Sequence, residues 1–235
     1  LPSVAGYFAA MLYNQNNVVE EVSPETLKKE REYLAALAKM FDYPEFVPDK
    51  IKPGDESKYS WGHLCSGGTS ANLEALWVIR NLKFFPLSLK LASVAVPELD
   101  YLKNESVRLP SGITKKISKA STFELMNIAV EDIFNLCTNL KEKLPQEKYS
   151  EYKKLAPNIK NLGLAGFMSL YNRAFPDDIC LMPRILISQA QHYCWKKNAD
   201  IISLGSDSLM EVPVDSRIRM DIVRLKETIT GLSRE

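Results

Sequence analysis

Two stretches of the chain place apolar residues at the three- and four-residue spacing of an amphipathic helix. The first follows Ser23, which suits an N-cap, and Pro24, which suits the first helical position. Pro44 interrupts the pattern, so we predict a helix between these residues and a loop over residues 43–58. The apolar face of this helix consists of Leu27, Leu34, Leu37, Ala38 and Phe41.

The second stretch follows residues 121–124, which read STFE, the sequence of a capping box. A single helix is predicted after this box, inside a segment of about residues 84–180 that is longer than one crossover between strands requires. In the same segment, residues 107–113 predict a small hairpin around Ser111 and Gly112. The apolar positions of the predicted helix are Leu125, Ile128, Ala129, Ile133, Leu136, Leu140 and Leu144.

Strand and helix patterns alternate on both sides of this segment. Residues 61–65 predict a short strand ahead of a helix from Thr69 to about Leu82, and residues 184–188 predict a buried strand ahead of another helix. Residues 209–214 predict a further strand, and residues 221–229 a helix ended by Gly231. Because strand-helix-strand connections are right-handed, these strands should be parallel. The pattern predicts an α/β fold with a helical opening and a helical insertion.

Composition excludes several classes of protein. The chain has 235 residues, of which 46% are hydrophobic, and a net charge of +1, so it can bury a sizeable core. Basic residues are interleaved with acidic ones and form no face for nucleic acid. No apolar run approaches the roughly 20 residues that span a bilayer, and the first residues do not resemble a signal peptide. We therefore expect a cytoplasmic protein that binds neither nucleic acid nor membrane.

No metal site is expected from the cysteines and histidines. The four cysteines are scattered without a Cys-x-x-Cys pair, and the two histidines do not complete a zinc pattern with them. We expect reduced thiols at Cys65, Cys137, Cys180 and Cys194.

The most informative run is residues 61–77, which read WGHLCSGGTSANLEALW. Gly67 and Gly68 lack the Cβ atoms that would keep a ligand oxygen from the backbone, and Thr69 adds a hydroxyl where a helix with unpaired N–H groups begins. Such a turn suits a phosphate. A tight connection capped by Ser66 or Thr69 is the alternative interpretation.

This run resembles the phosphate-binding turn of the group II pyridoxal-phosphate decarboxylases, and in particular the tyrosine decarboxylase branch. The resemblance implies that Ser66, Gly67, Gly68 and Thr69 bind the phosphate of pyridoxal 5'-phosphate. Asn72 is a weaker candidate, because its side chain could simply brace the start of the helix.

A second resemblance follows the strand predicted at residues 184–188, where residues 189–200 read QAQHYCWKKNAD. In the family a histidine in this segment stacks on the pyridine ring, which implies that His192 is the catalytic stacking residue. The family usually has Ser or Thr near Cys194 and Ala where Asn198 stands. From the residues alone, capping or lining the start of a helix is the favoured role for His192.

The opening of the chain also resembles this branch, and the resemblance implies that Tyr7 and Phe8 contact an aromatic substrate. An apolar core or an interface is the alternative role for these two residues. Residues 84–87 and 122–125 resemble the enlarged insertion of the bacterial tyrosine decarboxylases.

The resemblance implies the fold type I pyridoxal-phosphate-dependent transferase fold, like that of aspartate aminotransferase. Residues 1–58 would form an N-terminal helical segment, and residues 59–235 the first half of the large cofactor-binding domain. The implied activity is decarboxylation of an L-amino acid, tyrosine or another aromatic, by a full-length homodimer. In the family, the Schiff-base lysine and the aspartate that binds the pyridine nitrogen lie downstream of the segment matching residues 225–235. We therefore expect an internal fragment that is inactive alone. Alternatives are a glutamate decarboxylase or sphingosine-phosphate lyase relative, or a non-catalytic truncated copy.

Overall fold

The structure is a computed structural model that describes residues 2–13, 16–17, 20–44 and 60–232. The chain forms two compact units, Leu1–Cys65 and Ser66–Glu235. The domain boundary that the sequence suggests after residue 58, and most of the loop predicted over residues 43–58, lie outside the described residues.

The first unit contains helices α1, Pro2–Tyr13, and α2, Pro24–Met40. The start of α2 is as predicted, and its apolar face is at least half-buried except at Phe41, which is 61% exposed. Residues 60–65 form no strand, which corrects the prediction for residues 61–65. A strand needs a neighbour for its backbone groups, whereas the N–H of Leu64 donates to the Glu30 carboxylate at 2.6 Å.

The second unit mixes helices with two small sheets. The elements of this unit are α3 Gly68–Ala95, a 3-10 helix Pro97–Asn104, β1 Ser106–Arg108, β2 Thr114–Lys116, a 3-10 helix Ile117–Lys119, α4 Thr122–Met126, α5 Val130–Lys143, α6 Gln146–Leu155, α7 Ile159–Ala174, β3 Ile185–Ser188, α8 Cys194–Ile201, a 3-10 helix Ser206–Ser208, β4 Leu209–Val212 and α9 Ile222–Leu232.

Helix α3 is twice as long as predicted, because it continues past Leu82 and through Pro86. A proline inside a helix costs about 3 kcal/mol or more. Burial of a leucine side chain contributes about 1.5–3 kcal/mol, and Leu87, Leu89 and Leu91 are all fully buried. Packing of the second half of α3 therefore outweighs the cost of the proline.

The insertion, residues 84–180, includes this buried half of α3 and carries most of the core. The capping box is confirmed: the Ser121 hydroxyl accepts from the Glu124 N–H, and the Glu124 carboxylate accepts from the Ser121 N–H. The single predicted helix is instead two helices, α4 and α5. The backbone leaves helical geometry between them, where the Ile128 carbonyl accepts from the Lys83 ammonium at 2.6 Å and the Ile128 side chain is buried.

An ion pair between buried Lys90 and partly exposed Asp178 connects α3 to the end of the insertion. The Lys90 ammonium lies 2.7 Å from the Asp178 carboxylate and 2.8 Å from the Ala120 carbonyl. Burial opposes ionisation of Asp178, but hydrogen bonds from Lys90 and from the Thr122 N–H outweigh it and lower the pKa of this carboxyl. The Tyr171 and Thr122 hydroxyls bond to each other at 2.9 Å, which closes the network.

The two sheets have two strands each. Strands β1 and β2 pair antiparallel across Gly112, whose φ is 82°, so the predicted hairpin is confirmed. Strands β3 and β4 pair in parallel from Ile185 with Leu209 to Ser188 with Val212, as predicted, although β3 is half-buried rather than buried. Gly231 does not end α9, because it keeps helical geometry instead of the left-handed conformation of a helix stop.

Candidate functional site

The glycine turn lies at the start of α3, with Gly67 at the N-cap. The first backbone hydrogen bond of the helix runs from the Ala71 N–H to the Gly67 carbonyl at 3.0 Å. Within the described part of the chain, the N–H groups of Gly68, Thr69 and Ser70 have no acceptor. A Cβ atom built at Gly67 or Gly68 would meet no atom within 4 Å, so a ligand can approach both residues.

The alternative of a simply capped connection does not describe this turn. Among the described residues, no side-chain hydrogen bond caps α3. The Ser66 hydroxyl instead lies 3.0 Å from the Ser70 hydroxyl, and Ser66, Gly67, Gly68 and Thr69 are all exposed. The turn therefore presents three N–H groups and the hydroxyls of Ser66 and Thr69 at the positive end of a helix of 28 residues.

His192 lies in the turn between β3 and α8, four residues after the end of β3. Its Nδ1 accepts from the Cys194 N–H at 3.3 Å, which agrees with the alternative role at the start of a helix. Because Nδ1 is an acceptor, the proton of the neutral ring is on Nε2. The residue is nevertheless exposed, and its ring lies 4.3 Å from that of Tyr193, so one part of the imidazole remains accessible to a ligand.

Helices α3 and α8 bring the two segments together. The Asn72 amide donates to the Cys194 sulfur at 3.3 Å, which joins the first turns of the two helices. The Asn198 amide donates to the Thr69 carbonyl at 3.0 Å. Further along, the Arg80 guanidinium donates to the Ile202 carbonyl at 2.6 Å. The glycine turn and the His192 segment are therefore held at the same end of this helix pair.

The sequence interpretation missed Asn198 and Arg80. In the sequence, Asn198 differs from the alanine that is usual in the family. It stands four residues after Cys194 and therefore lies on the same face of α8. The four-residue spacing between Cys194 and Asn198 is the sequence signal that could have identified Asn198. Asn72 takes the bracing role, since its amide contacts Cys194.

Tyr7 and Phe8 lie on α1 in the first unit. They are 65% and 60% exposed, and their rings contact each other edge to face at 6.1 Å. Neither side chain belongs to a core among the described residues. Their contact with a substrate stays a prediction.

A cavity of about 450 Å³ lies elsewhere in the second unit, between α3, α5, α6 and α7. Trp77, Phe84, Cys137 and Tyr152 contribute to its lining, and none of the predicted site residues does. Burial raises the pKa of the Cys137 thiol to about 11, so this cysteine is not a thiolate nucleophile near neutral pH.

Among the described residues, no cluster of three or more histidine, cysteine or acidic side chains could hold a metal ion. No helix in the described ranges is both long and apolar enough to cross a bilayer.

Comparison with known proteins shows similarity to three L-tyrosine decarboxylases. Over 235 residues, all of this chain, it is 31% identical to the L-tyrosine decarboxylases of Levilactobacillus brevis and of Enterococcus faecalis. Over 233 residues it is 28% identical to the L-tyrosine decarboxylase of Enterococcus faecium. No family model matches the chain. The resemblance to the tyrosine decarboxylases is therefore confirmed, and the chain spans 29% of the length of each relative.

Proposed function

We propose that the full-length protein decarboxylates an L-amino acid, tyrosine or another aromatic, with pyridoxal 5'-phosphate as its cofactor on a fold type I scaffold. The observation that carries the proposal is the junction of α3 and α8, which holds the glycine turn and His192 at one end of a helix pair. Similarity to L-tyrosine decarboxylases over the whole chain supports the same reaction.

The residues of the glycine turn fit a phosphate group. The N–H groups of Gly68, Thr69 and Ser70, which have no acceptor in the described ranges, can each donate to a phosphate oxygen, and the hydroxyls of Ser66 and Thr69 add two donors. The N-terminus of α3 carries a partial charge of about +0.5, which favours an anion. In the proposal, this end of α3 binds the phosphate of the cofactor.

His192 fits the role of a ring partner. The hydrogen bond from the Cys194 N–H restricts rotation of the imidazole, and the residue is exposed at the end of β3 where ligands of open α/β sheets bind. In the proposal, the His192 imidazole would contact the pyridine ring of the cofactor and help to hold it. When bound, the cofactor would supply an electron sink for decarboxylation.

Substrate contacts in the proposal come from Tyr7 and Phe8, which present exposed aromatic rings. An aromatic side chain of the substrate would pack against such rings. The resemblance also favours a homodimer for the full-length protein.

The test is amine formation from a panel of L-amino acids by the full-length protein, with tyrosine, phenylalanine and glutamate among them. Thr69→Ala is expected to weaken cofactor retention, and His192→Ala to lower turnover more than retention. Thr228→Ala is the matched control, because that hydroxyl bonds to the Arg224 carbonyl within α9. Release of amine from no amino acid would overturn the proposal, and preference for glutamate would support the alternative glutamate decarboxylase.

A further inference from the structure

We propose that Asn198 is a positioning residue that sets the geometry of the glycine turn through the carbonyl of Thr69. This inference rests on the proposed function, because it assigns a role at the proposed phosphate site. Asn198 does not touch the ligand in this proposal; it acts through Thr69.

The contact places Asn198 directly behind the turn. Asn198 has no exposed surface, and its amide nitrogen lies 3.0 Å from the Thr69 carbonyl oxygen. Thr69 is the second residue of α3, and its own N–H is one of the three without an acceptor. The bond from Asn198 therefore holds the peptide group that leads from Thr69 to Ser70, whose N–H is another of the three.

Asn198 is poorly explained by stability alone. Its Oδ1 atom is buried and has no hydrogen-bond partner among the described residues. An unsatisfied buried polar group is destabilising, and asparagine is a weaker helix former than alanine. The bond to Thr69 offsets only part of this cost, so the residue is better explained by what it positions.

A second contact connects the same face of α8 to His192. Cys194 stands one helical turn before Asn198, accepts from Asn72 on α3, and donates its own N–H to His192. The start of α8 thus contacts the glycine-turn helix through Asn198 and Asn72, and the imidazole through Cys194. These contacts fix the distance between the phosphate donors and the imidazole. A rigid ligand that carries both a ring and a phosphate requires such a fixed distance.

The experiment compares two ligands that differ only in the phosphate. Cofactor-free full-length protein is titrated with pyridoxal phosphate and with pyridoxal, and the ratio of the two dissociation constants is measured. Asn198→Ala should weaken binding of pyridoxal phosphate roughly fivefold, the loss expected for one hydrogen bond, and leave pyridoxal binding unchanged. Asn72→Ala should change the ratio in the same direction by a smaller factor, because sulfur is a weak acceptor.

Asn127→Ala is the matched control. The Asn127 amide also donates to a backbone carbonyl, that of Phe123 at 2.8 Å, but within the insertion. This control should leave the ratio unchanged.

The outcomes separate the inference from the proposed function. If Asn198 has only a structural role, Asn198→Ala should weaken binding of both ligands equally and leave the ratio of dissociation constants unchanged. That result would overturn the inference. Tighter binding of pyridoxal phosphate than of pyridoxal by the wild type would still support the phosphate site. A wild-type protein that binds pyridoxal as tightly as pyridoxal phosphate would overturn the proposed phosphate site itself, and the inference with it.

Discussion

The insertion and the segment that follows it differ sharply in how they bury apolar surface. All but three residues of the main described core, Leu76, Ile202 and Leu204, lie within residues 84–180. In the following segment, residues 185–232, strand β3 is only half-buried and α9 has no buried residue. A two-stranded sheet such as β3–β4 is marginally stable without further packing.

The difference shows that most of the stability and the proposed chemistry reside in different places. The second half of α3 is the centre of the insertion core, whereas its first turn carries the proposed phosphate donors. One helix therefore anchors the glycine turn to the best-packed part of the unit. Changes in the insertion should act on stability, and changes at the helix junction should act on ligand binding.

The largest effect is expected at Phe167 in the insertion. Its ring is fully buried, meets Phe84 edge to face at 5.6 Å and stacks on Tyr171 at 6.0 Å. Phe167→Ala should lower the free energy of unfolding by about 3–5 kcal/mol, because it removes apolar contacts and leaves a cavity. Urea denaturation provides the measurement. Phe123→Ala, at a position 57% exposed, is the control, and an equal loss in both variants would contradict the proposed location of the core.

The next effect is expected at the ion pair of the insertion. Asp178→Asn should destabilise by about 2–3 kcal/mol, because Lys90 stays buried without its carboxylate; the value allows for the partial exposure of Asp178. Asp100→Asn is the control, since its pair with Lys103 is exposed. Equal stability of Asp178→Asn and the wild type at pH 7 would contradict this assignment.

The same pair predicts a dependence on pH. The pKa of Asp178 is lowered in the folded protein, so its contribution is complete above the unfolded value near 3.9 and is lost as the pH falls through the lower folded value. Unfolding followed from pH 7 to pH 2 should show a smaller acid-induced loss in Asp178→Asn than in the wild type. Parallel pH curves would exclude this contribution.

A smaller effect is expected at the capping box. Ser121→Ala should cost about 1 kcal/mol, because it removes the acceptor of the Glu124 N–H at the start of α4. Ser111→Ala, in the turn between β1 and β2, serves as the control, and thermal denaturation is a suitable measurement. A loss below about 0.3 kcal/mol would show that the box contributes little to the core around it.

The elements that the sequence predicted correctly carry local signals. The capping box, the hairpin around Gly112 and the parallel pair β3 and β4 each follow from residues close together in the chain. The continuation of α3 through Pro86 could not be predicted locally, because it depends on burial against α4, α5 and α7. At the break between α4 and α5, the Ile128 carbonyl bonds to Lys83, which is 45 residues away in the sequence.

The candidate site also combines residues that the sequence could predict with contacts that it could not. The glycine turn and His192 could be recognised from short motifs and their resemblance. The contacts that bring them together, from Asn72 to Cys194 and from Asn198 to Thr69, span more than 120 residues of sequence. Only the packing of α3 on α8 reveals them.

The smallest effect is expected on α9, and its sign is informative. Val223 is 65% exposed on a helix without buried residues, so Val223→Ala should leave the free energy of unfolding unchanged or raise it by up to about 0.5 kcal/mol, since alanine is the better helix former. Val212→Ala is the matched comparison, because the Val212 side chain on β4 is fully buried and its truncation should be destabilising. The pair is best measured in the full-length protein by urea denaturation. A loss above 1 kcal/mol for Val223→Ala would mean that α9 packs against another surface in the full-length protein. The contrast between the insertion and the segment after it would then hold for this chain alone.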